Sequence, residues 1–204
     1  MRKILQTLTM SALFCFCAMP VSAASMQNDA WEIDTEHSSV GFRVRHISGF
    51  VSGFFTKYSG QVNLDPVRPE KGQFYILVDS ASVHTGLPKR DEQLKSEIFL
   101  DVTKSPRIIF SSRQIIREDA GAYVVIGDLT IKDVTAEVRV PLTLLGVKEH
   151  PLKELMPNTK VLGLQAEFPI KREDFHVGNA KWTQMGVMGD TILISVNMEL
   201  LQRK

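Results

Sequence analysis

The sequence predicts an all-β protein, an eight-stranded antiparallel β-barrel with one short helix. Apolar and polar residues alternate with a period of two through most of residues 38–201, as in strands that are buried on one face and wetted on the other. Short turn signals separate several of these segments, as expected between antiparallel neighbours. Eight such strands favour a closed barrel, because closure removes exposed sheet edges. A β-sandwich is the alternative.

The predicted strands follow one another with short connections. Asp119-Ala120-Gly121 and Lys132-Asp133 have the composition of tight hairpin turns. Residues 146–159 contain two prolines and are predicted to be a long loop, and residues 172–189 are predicted to be irregular. The eight strands lie near residues 38–46, 53–64, 73–80, 107–117, 121–131, 134–145, 160–171 and 190–201.

One segment departs from the period of two. Near residues 90–98, Leu94 and Ile98 stand four residues apart, and Asp91 and Glu92 precede them. Apolar residues at this spacing share one face of a helix, and acidic residues are favoured in its first turn. We therefore predict a short helix here, placed to cover one end of the barrel.

The first 23 residues have the pattern of a secretory signal. Arg2 and Lys3 precede an apolar stretch over residues 4–19, and Val21-Ser22-Ala23 supplies small residues for cleavage. We predict cleavage after Ala23, which leaves one domain over residues 24–204 in the periplasm. An uncleaved N-terminal anchor is the alternative.

Charge and cysteine content narrow the function further. The whole chain carries 24 Lys and Arg against 23 Asp and Glu, a net charge of +1, so strong electrostatic attraction to nucleic acid is not expected. Cleavage after Ala23 would leave 22 basic and 23 acidic residues, a net charge of −1, and would remove Cys15 and Cys17. The predicted domain is then held by its core rather than by disulfides.

Short motifs follow one another along nearly the whole predicted domain, from residue 31 to residue 200. They are Trp31-Glu32-Ile33-Asp34, His37-Ser38, Ser82-Val83 with Thr85, Arg90-Asp91, Leu94-Lys95-Ser96, Phe99, Pro106, Phe110-Ser111-Ser112, Gly127-Asp128-Leu129-Thr130-Ile131 and Arg172-Glu173-Asp174-Phe175. Each motif alone is weak, but the ordered set is specific. With it the chain resembles the YceI-like family of periplasmic polyisoprenoid-binding proteins, which have an extended, lipocalin-like barrel.

Two positions depart from the family pattern. Asp133 and His176 stand where the family usually has glycine, in the turn after Leu-Thr-Ile and after Asp-Phe. Asp tolerates the left-handed backbone conformation better than most residues, so the hairpin at Asp133 is expected to survive. His176 puts the local conformation of its loop in question, but not the fold.

The resemblance implies a periplasmic binding or carrier protein for a long-chain amphipathic lipid, such as an isoprenoid quinone or polyprenyl compound. Burying a tail in an apolar bore gains about 0.8 kcal/mol per CH₂-sized group, so ten to fifteen groups gain about 8–12 kcal/mol before ordering costs. The lipid would be the partner, and no cofactor is implied. We also expect transient contact with a membrane or membrane protein, and take a homodimer as the default.

Apolar residues on the alternating faces are candidates for lining this bore. Alternation alone does not distinguish a lined bore from a solid core filled by the same side chains. Phe54 belongs to an aromatic-rich run over residues 50–58, which is either a wall or gate for the tail or a bulged strand with ordinary packing. The candidates are Val40, Phe42, Val44, Phe54, Phe74, Ile76, Phe110, Leu129, Ile131, Phe168, Ile192, Ile194 and Val196.

Four charged residues in the motifs are candidates for the polar end of the site. Arg90 and Arg172 have side chains suited to a phosphate or carbonyl head group. The alternative is an internal lock in which these arginines pair with Asp91 and Asp174 and tie the helix to the loop after the seventh strand. Ser82 and Thr85 are expected to cap a turn.

Nothing in the sequence points to catalysis. It has no GxSxG nucleophile motif, and its five histidines show no HxxxH or HxH spacing, so no metal site is predicted. Two alternatives to a binding protein are nevertheless kept. One is an enzyme acting on a hydrophobic small molecule at the barrel mouth, with His37, Arg90 and Asp91 as first candidates, and the other is a non-binding stress-related protein with a solid core.

Overall fold

A computed structural model describes residues 30–119 and 121–203. The predicted signal over residues 1–23 and Ala120 of the predicted turn lie outside these residues. The helices are α1 (Pro88–Lys95) and α2 (Ala180–Gln184), and neither has the length or the apolar run needed to span a bilayer. The strands are β1 (Ala30–His46), β2 (Gly49–Phe55), β3 (Tyr58–Asn63), β4 (Gln73–Asp79), β5 (Val83–His84), β6 (Arg107–Asp119), β7 (Ala122–Ile131), β8 (Val134–Glu149), β9 (Thr159–Lys171) and β10 (Met188–Arg203).

Eight of these strands form a closed antiparallel barrel. The order around the ring is β10, β9, β8, β7, β6, β4, β3 and β1, and pairing of β1 with β10 closes it. The short strand β2 extends the wall beyond β3, since it pairs with the second half of β1 on the edge opposite β10, and β5 pairs with β2. The predicted barrel is confirmed, and the β-sandwich alternative is wrong.

The predicted strand over residues 53–64 is interrupted, because the backbone N–H groups of Thr56 and Lys57 bond to Ser82 instead of to a neighbouring strand. The Thr56 N–H donates to the carbonyl of Ser82 (3.1 Å), and the Lys57 N–H donates to the Ser82 hydroxyl (3.1 Å). Ser82 ends a 3₁₀ turn, Ser80–Ser82, between β4 and β5. The chain therefore changes partners here, and β2 and β3 are separate strands.

The ends of other predicted elements also shift. The strand predicted over residues 38–46 begins at Ala30, and β8 extends to Glu149, into the predicted loop. Helix α1 ends at Lys95 rather than near residue 98, where the Ser96 N–H turns back to the carbonyl of Gln93 (3.1 Å). The segment predicted to be irregular contains the single helical turn α2.

One end of the barrel is closed by a group of buried side chains that we call the floor: Trp31, Leu64, Leu162 and Leu200. The three leucines have no accessible surface, and Trp31 is 5% exposed. The indole Nε1–H of Trp31 donates to the carbonyl of Leu64 (2.8 Å), so its polar atom is satisfied in the interior. The floor lies where β1 begins and β10 ends.

The opposite end is covered by a second group, which we call the cap: Phe99, Phe175, Val177 and Trp182. Phe99 stacks on Trp182 with ring centroids 5.3 Å apart, and all four pack against the main core. These residues come from the segment after α1 and from the connection between β9 and β10. The barrel is thus covered at both ends by side chains.

The wall of the barrel is incomplete at one place. Strands β8 and β9 pair from Leu142–Ala166 to Glu149–Lys160, but residues 134–141 and 167–171 are not paired with each other. Each of these segments is fully paired on its other side, with β7 and β10 respectively. We call the gap between them the window.

The two departures from the family pattern meet at the cap end of the window. His176 adopts a left-handed conformation (φ 54°), as glycine would, whereas in the hairpin turn Lys132 (φ 56°) takes that conformation instead of Asp133. The hairpin is therefore kept, as expected, but Lys132 rather than Asp133 takes the left-handed conformation. The ring nitrogen Nδ1 of His176 lies 3.8 Å from the carboxylate of Asp133, and Lys132 Nζ donates to the carbonyls of Glu97 (3.1 Å) and His176 (2.9 Å).

Candidate functional site

The barrel contains a cavity of about 140 Å³ between the floor and the cap. Among the described residues around it, Gln165 is the only one with a polar side chain. A solid core is therefore not what the structure shows, although the floor end is filled. Nine of the thirteen predicted apolar residues line the cavity: Val40, Phe74, Ile76, Phe110, Leu129, Ile131, Phe168, Ile194 and Val196.

The other four predicted residues lie outside the cavity lining. Phe42, Val44 and Ile192 share the inward faces of β1 and β10, but they stand nearer the cap end, as the pairs Phe42–Ile194 and Val44–Ile192 show. Phe54 is 45% exposed and meets the ring of His84 edge-on, with centroids 5.1 Å apart. Because alternate residues of a strand point to opposite faces, the buried Phe55 replaces Phe54 in the lining.

Besides Gly41 and Gln165, ten apolar lining residues were not among the candidates. Most belong to strands whose alternation had been recognised, so extending each inward face along its strand would have found them. In β9, for example, Leu164, Ala166 and Ile170 share the face of Phe168. The ten are Phe55, Val78, Ile108, Val125, Val140, Leu142, Leu164, Ala166, Ile170 and Met198.

Arg90 and Asp91 form a local lock at the start of α1. The buried carboxylate of Asp91 accepts hydrogen bonds from the N–H (2.8 Å) and hydroxyl (2.5 Å) of Thr85. Arg90 donates to the same hydroxyl through Nε (2.8 Å) and to the Thr85 carbonyl through Nη2 (2.9 Å). The hydroxyl bond from Thr85 is the main reason that the pKa of Asp91 is lowered. These groups join the β5–α1 connection to the helix.

Arg172 forms a second, separate lock beneath the cap. Its side chain is 1% exposed, and its nitrogens donate to the carbonyls of Val177 (2.8 Å), Gly189 (3.0 Å) and Asn179 (3.3 Å) and to the Thr183 hydroxyl (2.6 Å). Its acidic partner is Glu173, not Asp91 or Asp174. The predicted single Arg–Asp lock is therefore wrong in its pairing, and Arg172 faces protein groups on every side.

A bulge in β1 brings three possible metal-ligand side chains together. The pairing with β10 skips from Asp34–Glu199 to Ser39–Asn197, which leaves His37 folded back onto Asp34. The donor atoms of Asp34, His37 and Glu199 lie within 4.8 Å of one another. His37 and Glu199 are exposed. The 2.8 Å contact between His37 Nδ1 and the Asp34 carboxylate holds these two side chains together without an ion, and Glu199 lies opposite Asp34 in the β1–β10 pairing.

We expect the Asp34–His37 contact to be visible in a titration. Burial alone would raise the pKa of Asp34, but hydrogen bonds from His37 and from the Glu36 N–H lower it; the bond to Asp34 raises the pKa of His37 above 6.5. The contribution of His37 to stability is then present below pH 6.5 and lost as the pH rises through its raised pKa, whereas that of Asp34 is lost as the pH falls through its lowered pKa. NMR of the His37 ring should show a raised pKa that Asp34→Asn lowers. An unchanged pKa in Asp34→Asn would contradict the contact.

Comparison with known proteins shows the family to which this chain belongs. The sequence pattern of the YceI-like domain matches residues 31–200. The chain belongs to the YceI-like family. The protein YceI of Shigella flexneri is 29% identical over 192 residues, which cover 93% of this chain and 95% of that protein. The motifs on which the resemblance rested lie within the matched range.

Solved YceI-like structures share the barrel. The crystal structure of BcnA from Burkholderia cenocepacia aligns with a TM-score of 0.71 at 26% identity, over 83% of this chain and 99% of that one. A domain from Saccharophagus degradans, described as polyisoprenoid-binding and implicated in plant cell wall breakdown, aligns with a TM-score of 0.61 at 14% identity, over 83% and 97% of the two chains. The second likeness is one of fold alone.

Proposed function

We propose that this YceI-like protein is a periplasmic carrier that holds part of the tail of a long-chain isoprenoid lipid in its barrel cavity. The observation that carries the proposal is the apolar cavity itself, which offers a ligand almost no hydrogen-bond partners. Such a site takes hydrocarbon and excludes water. The name of the Saccharophagus degradans domain supports the isoprenoid class, and the N-terminal signal pattern supports the compartment.

The cavity volume limits how much tail fits without rearrangement. An apolar cavity of about 150 Å³ holds one benzene molecule, so the 140 Å³ found here accommodates about six carbon atoms. At about 0.8 kcal/mol for each, this burial gains about 5 kcal/mol, an affinity near the millimolar range before ordering costs. The ten to fifteen groups expected from the sequence need a larger space, so a longer tail must widen the barrel or extend outside it.

The proposal is tested by lipid extraction and by a cavity-filling variant. Lipid extracted from protein purified from native cells should contain an isoprenoid in stoichiometric amount, as measured by mass spectrometry. Ala166→Trp places a large side chain in the cavity, so it should weaken binding of the fluorescent fatty acid cis-parinaric acid about 100-fold or more and cost about 1–3 kcal/mol through overpacking.

The matched control is Thr143→Trp, on the neighbouring strand but facing solvent. It should bind the probe like the wild type. If no lipid is extracted and the wild type does not take up the probe, the carrier proposal fails. Equal probe binding by Ala166→Trp and the wild type would show that the probe does not bind in the cavity.

We further expect the cap end to touch a membrane when lipid is exchanged. Ile47, Phe50 and Met185 are 60%, 63% and 72% exposed, and the N–H of Ile47 bonds to the carbonyl of Val187 (3.0 Å), which brings the β1–β2 turn beside the end of α2. Exposed apolar residues grouped at one end of a molecule are typical of surfaces that contact lipid or protein. Their position at the cap end fits transfer of a lipid between a bilayer and the barrel.

The family relation favours binding without catalysis. The three residues that an enzyme hypothesis requires are engaged in different parts of the fold: His37 bonds Asp34 in β1, while Arg90 and Asp91 bond Thr85 beside α1. Among the described residues, no hydrogen bond or ion pair joins these two groups. Nothing in their arrangement favours a reaction over the binding role.

A further inference from the structure

We propose that the window between β8 and β9 is the passage through which the lipid tail moves into and out of the barrel. This inference rests on the proposed function, because it assigns a route to the same cavity. The window consists of residues 134–141 of β8 facing residues 167–171 of β9, two strand segments that share no ladder pairing. Opening the window further breaks no β8–β9 ladder bond along those residues. Opening a paired part of the wall would break the ladder hydrogen bonds there.

The break is encoded in the sequence by two prolines. Pro141 adjoins Leu142, the last residue of β8 that pairs with β9, and Pro169 lies within the unpaired part of β9. Proline has no N–H, so it is compatible with a strand only where that position faces away from a paired neighbour. The Leu144 N–H donates to the carbonyl of Gly121 on the β7 side, and the Arg172 N–H donates to the carbonyl of Asp190 on the β10 side. Because successive N–H groups of a strand point to opposite edges, Pro141 and Pro169 lack their donors on the edges that face the window. A ladder across the window would therefore lack two of its donors.

The window adjoins the cavity directly. Val140 on one side and Phe168 and Ile170 on the other line the cavity. Towards the cap end, Val134 and Ala136 on the inward face of β8 are only half-buried and pack against the core. A tail crossing here would meet apolar side chains along its path.

The other routes are obstructed. The floor has no accessible surface at its leucines, and the cap is held by the buried Arg172. The gap in pairing between β1 and β3 is bridged by the hydroxyl of Tyr58, which donates to the carbonyl of Ser38 (2.6 Å). Among the described residues no hydrogen bond is found between 134–141 and 167–171.

A long tail also needs the window for its volume. The cavity takes only about six carbon atoms, so further carbons must lie in space created by moving the wall. Separation of β8 from β9 provides that space without disrupting the pairs with β7 and β10. Passage and accommodation of the tail are therefore served by the same gap.

Cross-linking the window tests the passage. Continuing the register of Leu142 and Ala166 places Glu137 opposite Lys171, both exposed. In protein carrying Cys15→Ser and Cys17→Ser, we would join Glu137→Cys to Lys171→Cys with a bis-maleimide and follow release of bound cis-parinaric acid by stopped-flow fluorescence. Release should slow about tenfold or more, and uptake should slow with it, because the tail uses the same passage in both directions.

The matched control is the pair Lys148→Cys and Val161→Cys, which are opposite each other in the paired part of the same two strands and lie outside the cavity lining. Cross-linking this pair should leave the release rate unchanged. An unchanged rate after cross-linking Glu137→Cys to Lys171→Cys overturns the passage while leaving the cavity as a binding site. Failure of the wild type to bind the probe overturns the proposed function, and the passage with it.

A second variant tests the same point without a cross-linker. Pro141→Val with Pro169→Val restores an N–H on each side of the window, so β8 and β9 can extend their ladder. We expect slower release and new protection of the window amides against hydrogen exchange. Protected amides with an unchanged release rate would also overturn the passage, since the window would then be closed and the tail would still escape.

Discussion

Replacing Arg172 with Met should lower the free energy of unfolding by about 3–5 kcal/mol, the range for breaking a buried ionic and hydrogen-bonded group. The guanidinium is 1% exposed and donates to three backbone carbonyls, Thr183 and Glu173. Methionine keeps much of the bulk but supplies no donors, so the buried carbonyls lose their partners. Urea unfolding followed by tryptophan fluorescence measures the change, with Trp182 reporting on the cap.

The control is Arg203→Met at the floor end. Arg203 is 61% exposed and its nearest acidic partner, Glu32, is 4.0 Å away, so a change of at most about 1 kcal/mol is expected. If Arg172→Met were no more destabilising than Arg203→Met, the contacts around Arg172 would not stabilise the cap. Arg172→Lys keeps a charge without the planar fork and should be intermediate.

Phe110→Arg should abolish binding of a hydrocarbon probe and cost several kcal/mol, about 3–5, because it places an unpaired charge in a dry interior. Phe110 lines the cavity, and its ring lies against the backbone of Gly127, where an added Cβ would be 2.8 Å from two ring carbons. The aromatic ring and the glycine opposite therefore fit each other closely. Probe fluorescence and urea unfolding measure the two effects.

The neighbouring residue provides the control for Phe110→Arg. Ile109 lies on the same strand but on the opposite face, so Ile109→Arg should retain probe binding and lose much less stability. A folded Phe110→Arg variant with wild-type affinity would show that this residue does not line the binding site. If Phe110→Arg does not fold, Phe110→Asn, which is smaller and uncharged, gives the same test of binding.

The barrel could be predicted from sequence because each strand repeats the same simple pattern. Alternation placed Phe74, Ile76 and Phe110 on one face, and all three line the cavity. It failed at Phe54, because Phe54 and Phe55 are adjacent apolar residues, and only the pairing of Phe55 opposite Val40 shows which of them faces inward. A local pattern does not show where a strand changes partners, and here the change depends on Ser82, which is distant in sequence.

The polar candidates could not be assigned for a related reason. The sequence left Arg90 and Arg172 open between a head-group site and a lock, since an arginine suits both. The burial of Arg172 and its hydrogen-bond partners show that it is a lock, because its donors are directed at backbone carbonyls of the turns around it. The window was also hidden, because Pro141 and Pro169 indicate a ladder break only once the strands that flank them are known.

The sealed floor gives the molecule a direction. Trp31 and the three buried leucines beneath the cavity make the barrel a pouch with one accessible side rather than a pipe with two. A ligand that goes in tip first must come out by the same side, with its polar end leading. A membrane that gives up the lipid and one that receives it must therefore take turns at the same surface of the protein.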